Sequence, residues 1–206
     1  MTPAGGAQCC PSGKGMLKRG DRRVFIRLFM AVPLPPAMAG RFSAWAAERR
    51  LPGARWTFSS SPHLTLQFLG ETVSERRAAA EECLSAVGVP PFEAVLEGLG
   101  TFPDWRKPRV LWAGVSRGAE KLSSLAGSLN EELKIRHFSV EDRRYTPHVT
   151  LARFRNSPAG LDDLLAADLG TSWGTFTVDR ICLFESHPSP HGPRYEILKE
   201  SLLSSV

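Results

Sequence analysis

The distribution of apolar residues predicts an α+β fold: two similar lobes of antiparallel sheet with flanking helices around a central cleft. Three observations lead there. Period-two and helical stretches alternate irregularly along the chain. The hairpin-like strand pairs are too many for an all-parallel sheet. One pattern, Pro-His-apolar-Thr-Leu, occurs twice, as Pro62-His63-Leu64-Thr65-Leu66 and as Pro147-His148-Val149-Thr150-Leu151.

Residues 1–22 are rich in Gly, Pro, Ser, Lys and Arg without an apolar period, so they read as a disordered basic extension, and residues 23–206 as a single bilobal domain. Val24 to Val32 reads as a buried strand ended by Pro33, Pro35 and Pro36. Met38, Phe42, Trp45 and Ala46 then recur at helical spacing over 36–50. Trp56 to Gly70 returns to period two, with Leu64, Leu66 and Phe68 on one face and His63, Thr65 and Gln67 on the other. Thr72 and Glu75 form a capping-box pattern ahead of a helix over 76–87, closed by Gly88, Pro90 and Pro91. Strands follow at 92–98 and 109–115. Leu122, Leu125, Ala126, Leu129 and Leu133 mark an amphipathic helix over 119–135, with His137 as a C-terminal cap. The remainder reads as strands at 145–154, 175–184 and 194–198, with a Pro and Gly turn at 188–193. His187 and His191 fall at that turn as solvent-facing residues, and Asp104 to Lys107 form a surface loop.

Composition narrows the function classes. With 42% hydrophobic and 23% charged residues in 206, the chain is neither wholly disordered nor membrane-spanning: its most apolar run, from Val24 to Pro36, is interrupted by Arg27. A net charge of +5 and a pI near 9.3 favour anionic partners, and the excess of Lys and Arg lies in residues 14–27. Cys9, Cys10, Cys83 and Cys182 contain no CxxC pair and follow no secretory segment, which fits a reducing cytoplasm.

The duplicated motif carries the chemistry. In a strand, residues i and i+2 share a face, so His63 projects with Thr65 and His148 with Thr150, while the leucines and Val149 anchor the opposite face. Two lobes packed about a pseudo-two-fold bring both pairs to one cleft. Histidine titrates near neutrality and serves as acid or base, and threonine hydroxyls donate to phosphoryl oxygens where charge gathers. The pattern therefore suits phosphoester cleavage without metal or cofactor. No Asp or Glu lies within five residues of His148, and the one nearest His63 is Glu71.

These segments, with Arg27 to Pro33, Gly98 to Pro103, Pro108 to Trp112 and Leu183 to Ser186, resemble the two-histidine phosphoesterases. The resemblance is to their RNA 2′,3′-cyclic phosphodiesterases, also called 2′-5′ RNA ligases. It implies hydrolysis of RNA 2′,3′-cyclic phosphate ends to 2′-phosphomonoesters, with His63 as proton donor and His148 as proton acceptor; the sequence alone is symmetric between them. It also implies phosphate binding by Thr65, Thr150 and Arg153, although strict alternation places Arg153 opposite His148, so that a bulge is required. No obligate protein partner is expected. The competing reading is a nucleotide- or RNA-binding module of the same fold without turnover.

Overall fold

Strand β1 (Phe25–Pro33) is the spine of the first lobe because both its faces are buried: Leu28, Met30 and Val32 on one side, Phe29 and Ala31 on the other. In the computed structural model, which describes residues 23–49, 51–57, 61–141, 143–189 and 192–204, it lies between β3 (His63–Val73) and β8 (Arg180–His187), with β9 (Arg194–Leu202) outermost. The second sheet runs β2 (Arg55–Trp56), β6 (His148–Arg153), β5 (Val110–Arg117), β4 (Phe92–Phe102), β7 (Ser172–Val178). Every pairing in both sheets is antiparallel.

The lobes are interlocked through their helices. Helix α1 (Pro36–Ala47) follows β1 of the first sheet yet packs on β7 of the second, where Phe42 and Trp45 meet Trp173 at 5.2 Å each. Helix α3 (Ala119–Ile135) follows β5 of the second sheet yet packs on β3 of the first and on α2 (Arg77–Ser85). Helix α4 (Leu161–Asp168) returns to the second sheet at β4. All five apolar residues that predict α3 are buried, at about 1.5 to 3 kcal/mol for each leucine. His137 ends α3 through its backbone. It takes φ +58°, its N–H donates to Lys134 O and that of Phe138 to Leu133 O, a Schellman closure. The Arg76 guanidinium donates to the Arg136 and His137 carbonyls and lies 3.9 Å from the Phe138 ring centre.

Several expectations change. The period-two stretch from Trp56 to Gly70 is not one strand: β2 pairs with β6, whereas His63 onward pairs with β1 in the other sheet. Within β3, register shifts opposite Leu28/Phe29 and Met30/Ala31 break strict alternation, so Gln67 is buried while Phe68 is 55% exposed beside Phe29. The capping box does not form, because β3 continues to Val73 and Thr72 pairs with Ile26; a short 3₁₀ turn over Ser74–Arg76 leads into α2 instead. The single strand expected over 175–184 is two strands in different sheets, β7 and β8, separated at Asp179. Helix α4 is an addition. His187 is not a free turn residue: it ends β8 with Nδ1 3.6 Å from Glu185 and Nε2 3.3 Å from Glu196. His191, Cys9, Cys10 and the basic extension lie outside the described residues. No helix among the described residues is long and apolar enough to cross a membrane.

The ends of α1 and α4 are joined by a two-pronged ion pair, Arg49 Nε to Asp168 Oδ2 at 2.6 Å and Nη2 to Oδ1 at 2.8 Å, largely shielded from water. Arg49 holds the Asp168 carboxyl below its ordinary value. Its stabilisation is therefore complete above the ordinary carboxylate range and is lost as pH falls through the lowered value. Asp168→Asn should cost about 1 to 2 kcal/mol in thermal unfolding at neutral pH, and the difference from wild type should shrink in acid. A gap that persists undiminished into strong acid would contradict this assignment.

Candidate active site

His63 opens β3 and His148 opens β6, each preceded by a proline that has no N–H and holds the residue before it extended. That local shape turns a carbonyl onto each ring. His63 Nδ1 lies 2.8 Å from Ser61 O, and His148 Nδ1 lies 2.8 Å from Thr146 O. A carbonyl only accepts, so Nδ1 carries the hydrogen in both rings and Nε2 is left to take or give a proton.

Aromatic rings fix both imidazoles. His63 contacts Phe29 (4.9 Å), Phe184 (5.7 Å) and the edge of Tyr195 (4.9 Å). His148 meets Phe102 edge-on at 4.9 Å and Trp112 at 6.1 Å. Trp112 fits because Gly100 and Gly114 lie beneath it: a Cβ at Gly100 would overlap the indole, and one at Gly114 would stand 2.9 Å from the Glu97 carbonyl.

Burial pushes both histidines below their ordinary value against the opposing pull of the carbonyl hydrogen bonds. The charge of Arg153 lowers both further, and that of His148 also lowers His63. Both rings are thus neutral at pH 7 in the free protein, and a bound anion would offset the positive field.

A cavity of about 710 Å³ includes Thr65, His148, Thr150 and Arg153 in its wall. His63 is not part of that wall. Arg153 joins it through a register shift in β6: Trp112 pairs with Thr150 and Leu111 with Ala152, so Leu151 is extra and Arg153 turns to the side of His148. Strict alternation from the sequence would have placed it opposite. Tyr145 connects the lobes by donating from Oη to Thr65 O at 3.0 Å, and its burial raises the phenol well above its usual value, which keeps it a donor. Gln67, 7% exposed, also lines the cavity, and its Nε2 has no partner among the described residues.

The sequence reading did not single out the aromatic walls, Tyr145 or the anchoring carbonyls. One signal was available for the last: the repeat extends backwards to Ser61 and Thr146, so that both copies read hydroxyl residue, proline, histidine. Among the described residues, no group of three His, Cys, Asp or Glu could hold a metal ion.

Each imidazole keeps Nε2 unengaged among the described residues and has a threonine two positions along its own strand, and Thr65, His148, Thr150 and Arg153 share the wall of one cavity. A profile of the 2′-5′ RNA ligase superfamily matches residues 34–189. The chain belongs to that superfamily. Among superfamily relatives, it is 33% identical over 175 residues to the RNA 2′,3′-cyclic phosphodiesterase of Archaeoglobus fulgidus, covering 84% of this chain and 98% of that one. It is 34% identical over 155 residues to the enzyme of the same name from Aquifex aeolicus, covering 72% and 81%. The crystal structure of E. coli LigT complexed with 3′-AMP superposes with a TM-score of 0.73 at 27% identity, over 88% of this chain and all of that one.

The field of Arg153 yields a direct expectation. Arg153→Gln should raise the titration midpoints of both His63 and His148, followed by NMR of the ring protons. Midpoints unmoved in both rings would mean that the guanidinium does not face them.

Proposed function

We propose that this chain hydrolyses the terminal 2′,3′-cyclic phosphate of RNA to a 2′-phosphomonoester. The observation that carries the reading is the pair of His-x-Thr strands whose imidazoles both present Nε2 and share one positive field. The names of the relatives support the same substrate, and the 3′-AMP complex of E. coli LigT supports a nucleotide as occupant.

In the proposed reaction, water attacks phosphorus as His148 Nε2 accepts its proton. The P–O3′ bond breaks and His63 Nε2 gives its proton to O3′, leaving phosphate on O2′. A proton exchange with solvent restores the starting states. Thr65 and Thr150 hydroxyls donate to the non-bridging oxygens, and Arg153 balances their charge. The acid, the base and the charge stabilisation all come from side chains, so no step requires a metal or cofactor. Joining RNA ends through a 2′-5′ bond is the reverse direction, and in water it loses to hydrolysis unless two ends are held together. The two buried free thiols, Cys83 and Cys182, support a reducing cytoplasm as the setting, and residues 23–206 are taken as one bilobal domain. The reading needs no protein partner.

The test is to incubate the protein, with chelator present, with a short RNA ending in a 2′,3′-cyclic phosphate and to identify the product end. A 2′-phosphate is expected. His63→Ala and His148→Ala should each lower kcat by about a hundredfold to ten-thousandfold. Thr65→Val and Thr150→Val should each lower it less, by about ten- to a hundred-and-fifty-fold. Binding of the RNA without turnover would favour a non-catalytic module, and activity lost in chelator but restored by a divalent ion would refute the metal-free scheme.

The acidity of His63 sets the pH behaviour. As the acid it must be protonated, and its value in the free protein is lowered, so kcat/KM should fall as pH rises through a point below 6.5. The bound phosphate anion raises that value, so the alkaline limb of kcat should lie higher than that of kcat/KM. Coincident limbs in the two profiles would contradict the assignment.

A further inference from the structure

The cavity holds more positive charge than one cyclic phosphate can use. A cyclic phosphodiester carries a single negative charge, which Arg153 in the wall is enough to balance. The same wall carries Arg109, Arg143 and Arg144. Arg143 is paired with Glu141 at 2.8 Å. The side chains of Arg109 and Arg144 have neither an ion pair nor a hydrogen-bond partner among the described residues.

Arg109 directly precedes β5, with its N–H donating to Phe102 O at 2.7 Å, and Arg144 lies in the segment leading to β6. The arginine whose charge lowers both histidines is Arg153. The loop between β4 and β5 begins at Phe102, which touches His148, and at Pro103, both in the cavity wall. Asp104 Oδ1 accepts from the Arg106 N–H at 2.8 Å and the Lys107 N–H at 3.0 Å, and this turn leaves Trp105 61% exposed with the Arg106 guanidinium 5.3 Å from its ring centre. The cavity wall thus carries two unpaired arginines and adjoins, through Phe102 and Pro103, a loop with an exposed aromatic, the combination that holds single-stranded nucleic acid by phosphate contacts and base stacking.

We propose that Arg109 and Arg144 bind phosphates 5′ to the cyclic end and that Trp105 stacks on an upstream base, so that the preferred substrate is an RNA chain and not a cyclic mononucleotide. This rests on the phosphodiesterase reading for the reacting end alone. The track itself is a statement about where the rest of the strand lies.

The test compares a trinucleotide ending in a 2′,3′-cyclic phosphate with a nucleoside 2′,3′-cyclic phosphate. Each phosphate contact to a single strand adds about −0.7 to the slope of log affinity against log salt concentration. The slope of log kcat/KM should therefore be steeper by about 1.4 for the trinucleotide. Arg109→Gln and Arg144→Gln should each remove about 0.7 of that difference and raise KM for the trinucleotide, with the mononucleotide unaffected. Trp105→Ala should raise KM for the trinucleotide with little change in slope. Equal slopes for the two substrates, or variants that weaken both alike, would overturn the track. If neither substrate is cleaved, the phosphodiesterase reading fails while the track is still decided: binding of the trinucleotide and of its 2′-phosphate form, measured by calorimetry across the same salt range, must show the same slopes and the same losses in the two variants.

Discussion

The site depends on a short backbone constraint: in both lobes, the imidazole Nδ1–H is held by the carbonyl of the residue two positions earlier. With Nδ1 so engaged, Nε2 alone can exchange a proton with a ligand, and the ring cannot turn without leaving a polar group unpaired beside aromatic walls. The intervening proline suits the position, since it holds the preceding residue extended and places the histidine first in its strand. The rest of the architecture delivers this unit twice. The crossed helices interlock the sheets, and Tyr145, three residues before the second motif strand, ties that segment to the backbone of the first.

Both rings are half-buried against aromatics and lie in the field of Arg153, an environment that favours neutral imidazole. Acid-base chemistry on a phosphodiester needs one ring neutral and one charged. The ligand can resolve this conflict, because its own negative charge offsets the field that keeps the acid deprotonated. Such an arrangement ties protonation to occupancy and disfavours a neutral ligand in the same place.

The sequence made the repeat legible because a strand motif needs only local spacing: His63 with Thr65 and His148 with Thr150 require nothing beyond period two. Helix α3 was equally clear, since five apolar residues define one face over its full length. What escaped was set by partners. The register shifts that turn Phe68 outward and bring Arg153 beside His148 arise from pairing with β1 and β5, which no local pattern encodes. Strands β7 and β8 read as one because the chain changes sheets at Asp179 without a glycine or proline to mark the passage. The capping box at Thr72 and Glu75 was a valid local signal, overridden when Thr72 remained in the ladder opposite Ile26. Helix α4 has eight residues, too few to establish a period against the base level of leucine and alanine.

The most direct test of the paired-histidine account is the tautomer of the two rings, read by ¹⁵N NMR of histidine-labelled protein at neutral pH. The account predicts that in the free protein both His63 and His148 are neutral with the hydrogen on Nδ1, and that a bound nucleotide 2′-phosphate adds a proton at Nε2. A free protein in which either ring carries its hydrogen on Nε2 alone would contradict it, because that ring could not accept a proton from water or receive one for transfer to the leaving oxygen.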